Sequence, residues 1–364
     1  MADLLKDIYN HDHLHKLATD IQAVHSPFKV DDFIKSVMDS TWDTLELKAR
    51  MRQITLNLGK YLPADYTQAI AIINQVITSY STDFIIEFCM YFPDFVEVYG
   101  QDETHWDISI EALKLHTPHC SSEFAVRPFI INNEEKMMAQ MYAWAKDENE
   151  HVRRLASEGC RPQLPWAQSL PSFKKDPTPI LPILEELKAD PALYVRKSVA
   201  NNLNDISKTH PQVVTKIAKD WYGKNEHTDW IVKHACRTLL KQANREVLAI
   251  FGYNDIDSIT ISNFAIDKTA LSIGDDIIFS FDMETKEATK VRLEYGIDFV
   301  KANGKRNRKI FQISEISLRQ NEKKHYDKKH SFKDLSTRKH YTGAHAITLI
   351  VNGAECGTLE FEVN

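Results

Sequence analysis

His151-Val152-Arg153-Arg154-Leu155-Ala156 sets a frame that recurs as Tyr194-Val195-Arg196-Lys197-Ser198-Val199 and as Ile231-Val232-Lys233-His234-Ala235-Cys236. In each, an apolar position is followed by one or two basic residues and then by a small or apolar one. Val152, Val195 and Val232 stand roughly 40 residues apart, the period of HEAT-type helical pairs. Repeats of this kind stack into a solenoid with a continuous core and a concave binding face. Outward from this stretch, residues 1 to 254 read as helix after helix. Apolar residues recur at helical spacing in Ile70-Ile73-Val76-Ile77 and Met137-Met141-Trp144. Prolines at 27, 63, 118, 162, 177, 191 and 211 fall between the patterns, where helices stop or start. Asp31, Asp43, Asp65, Ser81 and Asn149 are candidate N-caps.

The period changes near Tyr253-Asn254. Alternation in twos follows in Ile259-Ile261, Ile277-Phe279-Phe281, Val291-Leu293-Tyr295, Ile347-Leu349-Val351 and Leu359-Phe361-Val363. Turn signals stand at Ile273 to Asp276, Asn303-Gly304, Asn352-Gly353 and Cys356-Gly357. About seven short strands in ~100 residues predict an immunoglobulin-like β-sandwich over residues 255–364, without the Cys and Trp core of a true immunoglobulin domain. The expected fold is therefore multidomain, α then β: a HEAT-like α-solenoid over residues 1–254 followed by this small sandwich.

The chain has 364 residues, 43% of them hydrophobic and 26% charged, which is ordinary for a globular protein of two or three domains. No run approaches the ~20 apolar residues of a membrane helix. The N-terminus is acidic and amphipathic, unlike a signal or transit peptide. Cys89, Cys120, Cys160, Cys236 and Cys356 form no pair or cluster with metal spacing, which predicts buried, reduced thiols in a cytoplasmic protein without a metal or organic cofactor. The net charge is −6, yet residues 301–340 carry 13 Lys/Arg against 4 Asp/Glu. That block reads either as an anion-binding surface or as a pair of solvated lysine-rich loops, and its position places the charges on connections between strands. The basic residues of the repeat frames likewise read two ways. They form a stripe for a phosphate backbone, or they pair with acids between repeats.

Three acidic side chains stand on or beside apolar helical segments: Glu123 in Ser122 to Pro128, Glu158 in Arg154 to Trp166, and Asp205 in Val199 to Asp205. Carboxylates beside an aromatic, here Trp166, suit the enclosure of a positive charge. Breaking an N-glycosidic bond puts positive charge on the sugar, which a nearby carboxylate stabilises. A base that is already cationic leaves without a general acid. Taken singly, Glu123 in a first helical turn also serves as a capping or dipole partner. Asp205 and Glu158 lie at helix C-termini, where the dipole disfavours them; Glu158 precedes Gly159, a natural C-cap.

Together these segments resemble the AlkC group of bacterial DNA alkylation repair glycosylases, HEAT-like relatives of AlkD. The resemblance spans nearly the whole chain and is most specific in Ser121–Phe129, Arg154–Ala167 and Val195–Pro211, continuing through Tyr295–Phe311 and Ser336–Gly353. It implies a monofunctional glycosylase that releases 3-methyladenine and 3-methylcytosine from duplex DNA without flipping the base, with water as co-substrate. Carried over by motif, Glu123, Glu158 and Asp205 become the catalytic carboxylates and Trp166 a wall of the same site. Arg127, Arg154, Arg161, Arg196, Lys197, Lys241, Lys305, Arg306 and Lys309 become the DNA-binding cations. A monomer in the bacterial cytoplasm, on the nucleoid when bound, suffices for this activity. The alternative is a non-catalytic HEAT-repeat scaffold that binds DNA or protein.

Overall fold

The computed structural model describes residues 5–81, 88–335 and 338–364. Ser336 and Thr337 of the last motif lie outside the described residues, as does the segment that Ser81 would cap. Helices occupy the chain from His11–Val24 to Arg245–Ile250, and strands follow from Ile259 to Val363. The helical region followed by an immunoglobulin-like sandwich is the order the sequence predicts.

The three repeat frames lie on the helices Glu150–Gly159, Leu193–Ser207 and Glu226–Ala235, which pack against one another in chain order. Val152, Val195 and Val232 are all buried in the seams. The first two helices run parallel. Near their N-terminal ends Arg153 reaches Asp190, Nε to Oδ2 at 2.6 Å. Further along, Ser198 bonds Ser157 between hydroxyls at 3.0 Å, and Asn202 donates to the Ser157 carbonyl at 2.8 Å. Asn204 makes the next link, to the Ala235 carbonyl at 2.8 Å. Two of the expected caps form: the side chains of Asp65 and Asn149 accept from the backbone N–H of Gln68 and His151. Asp31 instead sits inside a first turn with Lys29 at the cap, and Asp43 lies within the short 3-10 turn Trp42–Thr44.

Gly159 is not the left-handed C-cap that its place after Glu158 suggests. The helix runs through it, and its lack of a side chain serves packing. A Cβ there would lie 2.6 Å from Val126 Cγ2 and 2.8 Å from Met141 Cε. The end of the Glu150 helix is thereby drawn against the helices Val126–Asn132 and Glu134–Trp144.

Among the described residues the sandwich has eight strands: β1 Ile259–Ile266, β2 Ala270–Leu271, β3 Asp276–Thr285, β4 Thr289–Val300, β5 Arg306–Leu318, β6 Lys323–Ser331, β7 Gly343–Val351 and β8 Ala354–Val363. One sheet has the order β1-β3-β6 and the other β2-β8-β7-β4-β5. Phe279, Phe281, Leu293, Ile297, Leu349 and Phe361 are among the side chains that meet in the core. The basic block departs from expectation in part: Lys301, Lys305, Arg319, Lys333, Arg338 and Lys339 lie in connections as expected, and the rest do not. Arg306, Arg308 and Lys309 lie in β5, and Lys323, Lys324, Lys328 and Lys329 lie in β6, not in loops. Both are edge strands. Edges carry charge because bare apolar edges invite pairing with other chains; β6 is dominated by charge, and in β5 the alternation Phe311-Ile313 and Ile316-Leu318 is preceded by basic residues and interrupted by a bulge. Cys356-Gly357 likewise falls inside β8 rather than at a turn.

Two compact units emerge: residues 1–209 with 224–235, and residues 210–223 with 236–364. The helices Pro211–Trp221, Arg237–Lys241 and Arg245–Ile250 thus belong with the strands. No described helix is long and apolar enough to cross a membrane. Gly159→Ala should lower the free energy of unfolding by about 1–3 kcal/mol through overpacking. Urea denaturation measures this, and an unchanged midpoint would show that Val126 and Met141 yield freely.

Candidate active site

The parallel helices bring their C-terminal turns together, and with them two carboxylates. Glu158 is in the last turn of Glu150–Gly159 and Asp205 in the last turn of Leu193–Ser207. Arg161, just past the first helix, bridges them: Nη1 donates to Glu158 Oε1 at 2.5 Å and Nε to Asp205 Oδ2 at 2.9 Å. Lys208 closes one end of the row on Asp205 Oδ1 at 2.8 Å. Arg154 extends the other end. Its Nη2 lies 3.5 Å from Glu158 Oε1, while Nη1 donates to Glu123 Oε2 and, at 2.9 Å, to the Ser121 hydroxyl. Glu123 itself stands in a turn ahead of the Val126 helix, not in the helix's first turn. The six groups alternate in sign: Glu123, Arg154, Glu158, Arg161, Asp205, Lys208.

Exposure along the row is graded. The side chain of Glu123 is 16% exposed, against 6% for Glu158 and 3% for Asp205. Glu123 takes both of its side-chain donors on Oε2, and Glu158 meets both of its arginines through Oε1. Each therefore keeps one oxygen without a hydrogen bond from the described residues. Both oxygens of Asp205 are engaged. Burial by itself would lower the guanidinium pKa of Arg154, but Glu123 and Glu158 outweigh it and hold the group above its usual range. Arg161 behaves alike, burial being offset by Glu158 and Asp205. The Tyr194 ring lies 5.0 Å from the Arg154 guanidinium, adding a cation–π contact.

Trp166 projects from the loop after the Glu150 helix, and its residue surface is 74% exposed. Lys48 ties it to the row: its ammonium donates to the Trp166 carbonyl at 2.9 Å and sits 4.6 Å over the ring of Phe124, the neighbour of Glu123.

Residues 120–239, which contain the whole row, match the family described as DNA alkylation repair enzyme. Residues 260–364 match the C-terminal Ig-like domain of YhaZ, described as an uncharacterised protein. YhaZ of Bacillus subtilis (strain 168) is 48% identical over 363 residues, covering 100% of both chains. The alkylpurine DNA glycosylase AlkC of Pseudomonas fluorescens, solved bound to DNA containing an abasic site analog, is 36% identical with a TM-score of 0.93 over 100% of both chains. The chain belongs to the AlkC family of DNA alkylation repair glycosylases.

Against that background the cations assigned to DNA divide sharply. Arg127 is a correction: it has no exposed surface. Its Nη1 donates to the carbonyls of Gly159 at 2.9 Å and Arg161 at 3.0 Å, and its Nε to that of Gln168 at 2.5 Å. Burial pulls its pKa down to about 10. Arg127 is thus the internal support of the loop that carries Arg161 and Trp166, and no phosphate can reach it. Arg154 and Arg161 direct their donors at carboxylates. Arg196 is half-buried and donates to the carbonyls of Asp190 at 2.8 Å and Pro191 at 2.7 Å. For Arg153, paired with Asp190, the pairing between repeats is therefore realised, whereas Arg196 caps backbone carbonyls in the turn that leads into its own helix. Lys197, Lys241, Lys305, Arg306 and Lys309 are exposed, Arg306 lying 3.2 Å from Glu360; Lys241 and the last three lie in the second compact unit.

Sequence reasoning missed Ser121, Tyr194, Lys208 and Lys48. Lys208 had a local signal, three residues after Asp205. Lys48 had none, being 118 residues from Trp166. Replacing Arg127 by Met should cost about 3–5 kcal/mol of stability, because the buried carbonyls of Gly159 and Arg161 and the partly buried one of Gln168 lose their donors. The slope of log DNA affinity against log salt should stay unchanged. A slope shallower by about 0.9 would restore Arg127 to the DNA contacts.

Proposed function

We propose that this protein is a monofunctional glycosylase that hydrolyses the N-glycosidic bond of cationic N3-alkylated bases, 3-methyladenine and 3-methylcytosine, in duplex DNA. The observation that carries the reading is the row itself: three carboxylates from three separate segments, fixed in direction by arginines, with unengaged oxygens on Glu123 and Glu158. The bond from C1′ to the base breaks, and its electrons neutralise the cationic base. The base needs no proton and departs as a neutral molecule. The sugar is left with oxocarbenium character, which carboxylates at this edge stabilise. Water adds at C1′ and loses a proton to the unengaged oxygen of Glu123, giving an abasic site.

Neither step requires the base to leave the stack, in contrast to the usual extrusion route. The exposed indole of Trp166 supplies an apolar wall for the sugar or the cationic base. The AlkC structure of Pseudomonas fluorescens, bound to DNA containing an abasic site analog, supports DNA as the partner and the abasic site as the product. The exposed cations Lys305, Arg306 and Lys309 in and beside β5 suit phosphate contacts that hold the duplex.

The deciding measurement is release of free 3-methyladenine from methylated duplex DNA. Glu123→Gln and Asp205→Asn should each lower the single-turnover rate by about 10²–10³-fold while DNA affinity changes little. Equal losses of affinity and rate would remove these residues from the chemistry. Robust binding by the wild type without release would favour the scaffold. A second outcome concerns the β5 cations. Neutralising Lys305, Arg306 and Lys309 together should reduce the salt slope of DNA affinity by about 0.9 for each phosphate they neutralise in the wild type; an unchanged slope would make them bystanders.

A further inference from the structure

Leu164-Pro165-Trp166-Ala167 is a tight turn, closed by the Ala167 N–H on the Leu164 carbonyl at 3.3 Å, with Trp166 at φ +63°. Proline second and a left-handed residue third are the marks of a type II turn. Its third position normally takes Gly or Asn, because a Cβ there crowds the backbone. Here it holds the bulkiest side chain of all. At 74% exposure Trp166 is also the most exposed large hydrophobic residue among the described residues. Burial of the indole therefore cannot be what stabilises the turn, and the strain must be offset by contacts to the backbone.

Two cations supply those contacts. Arg127 grips the loop from inside at the carbonyls of Gly159, Arg161 and Gln168, on both sides of Trp166 but not at it. Lys48, from the helix Leu47–Tyr61, takes the Trp166 carbonyl itself at 2.9 Å. Among the described residues Lys48 has no carboxylate partner. Its contacts are the carbonyl of Trp166 and the face of Phe124, 4.6 Å from the ring centre. It thus couples the turn bearing the indole to the segment bearing Glu123.

We propose that Lys48 is a positioning residue for Trp166, clamping the strained turn so that the indole stands at a fixed place beside Glu123. This rests on the reading of Trp166 as a wall of the glycosylase site. Lys48 touches no reacting atom; it acts through the carbonyl of the residue that does the contacting.

The test uses the full chain labelled with 5-fluorotryptophan, which reports on its six tryptophans. Trp166→Phe assigns the Trp166 resonance. In Lys48→Met that resonance should shift and broaden while the other five stay in place. An unmoved resonance overturns the proposal without reference to activity. Single-turnover excision gives the second arm. Lys48→Met should slow release of 3-methyladenine roughly tenfold when Trp166 is present, and have no effect in a Trp166→Ala background. Equal losses in both backgrounds would show that Lys48 acts elsewhere. A salt slope of DNA affinity shallower by about 0.9 in Lys48→Met would make Lys48 a phosphate contact instead, and also overturn the proposal. Should the wild type release no base, the glycosylase reading falls, and the fluorine spectra still decide the positioning.

Discussion

Three carboxylates held in a mostly buried row by two arginines and a lysine constrain the rest of the helical unit. Like charges in a poorly solvated place repel strongly, and each needs a cation at hydrogen-bonding distance to remain there. That requirement fixes where the helices must end. Arg161 spans Glu158 and Asp205 only because the Glu150 and Leu193 helices run parallel with their last turns level. The polar links Ser157 to Ser198 and Asn202 to Ser157 set that register along the seam. Gly159 then allows the first of the two helices to approach the segment that brings Glu123.

The arginines nearest the row serve the protein before they serve any ligand. Arg127 holds a loop by its carbonyls, and Arg154 and Arg161 hold carboxylates, whose negative charge in turn keeps these guanidinia above their usual pKa range. The cations open to a phosphate backbone lie elsewhere, on the exposed face of the repeat at Lys197 and along β5 and β6. A protein with net charge −6 can therefore concentrate its free positive charge in a few places. Edge strands are a natural location, since the same lysines that attract an anion discourage pairing with another sheet. At Trp166 the molecule accepts a backbone conformation that tryptophan disfavours and holds an indole in solvent, an arrangement that burial cannot explain.

Much of this was legible in the sequence because the determining signals are local. The 3.6-residue period up to Ile250, the two-residue period after Ile259 and the spacing of Val152, Val195 and Val232 follow from how each element buries one face, so each can be read without knowing its neighbours. The motifs around Glu123, Glu158, Asp205 and Trp166 were visible as acids on apolar segments. Strands β5 and β6 were not, because basic residues dominate β6 and the start of β5, and a bulge breaks the alternation of Phe311-Ile313 and Ile316-Leu318. Gly159 looked like a cap for the same kind of reason: its sequence context is that of a helix end, while its cause is a neighbour more than thirty residues away.

The sequence by itself thus determined the order of helices and strands, the repeat and the chemical types available at the site. Only the tertiary structure decided which charges neutralise one another. An arginine in a basic frame reads the same whether it faces a phosphate, a carboxylate or a carbonyl, and the choice is made by the partner that packing brings within about 3 Å. For Arg127 that partner is the backbone of a loop, for Arg161 two carboxylates, and for Lys48 the carbonyl of Trp166. These contacts join residues 32 to 118 positions apart, except for Glu158 and Arg161, which are three apart. No local pattern carries such information, because it exists only once the helices have stacked.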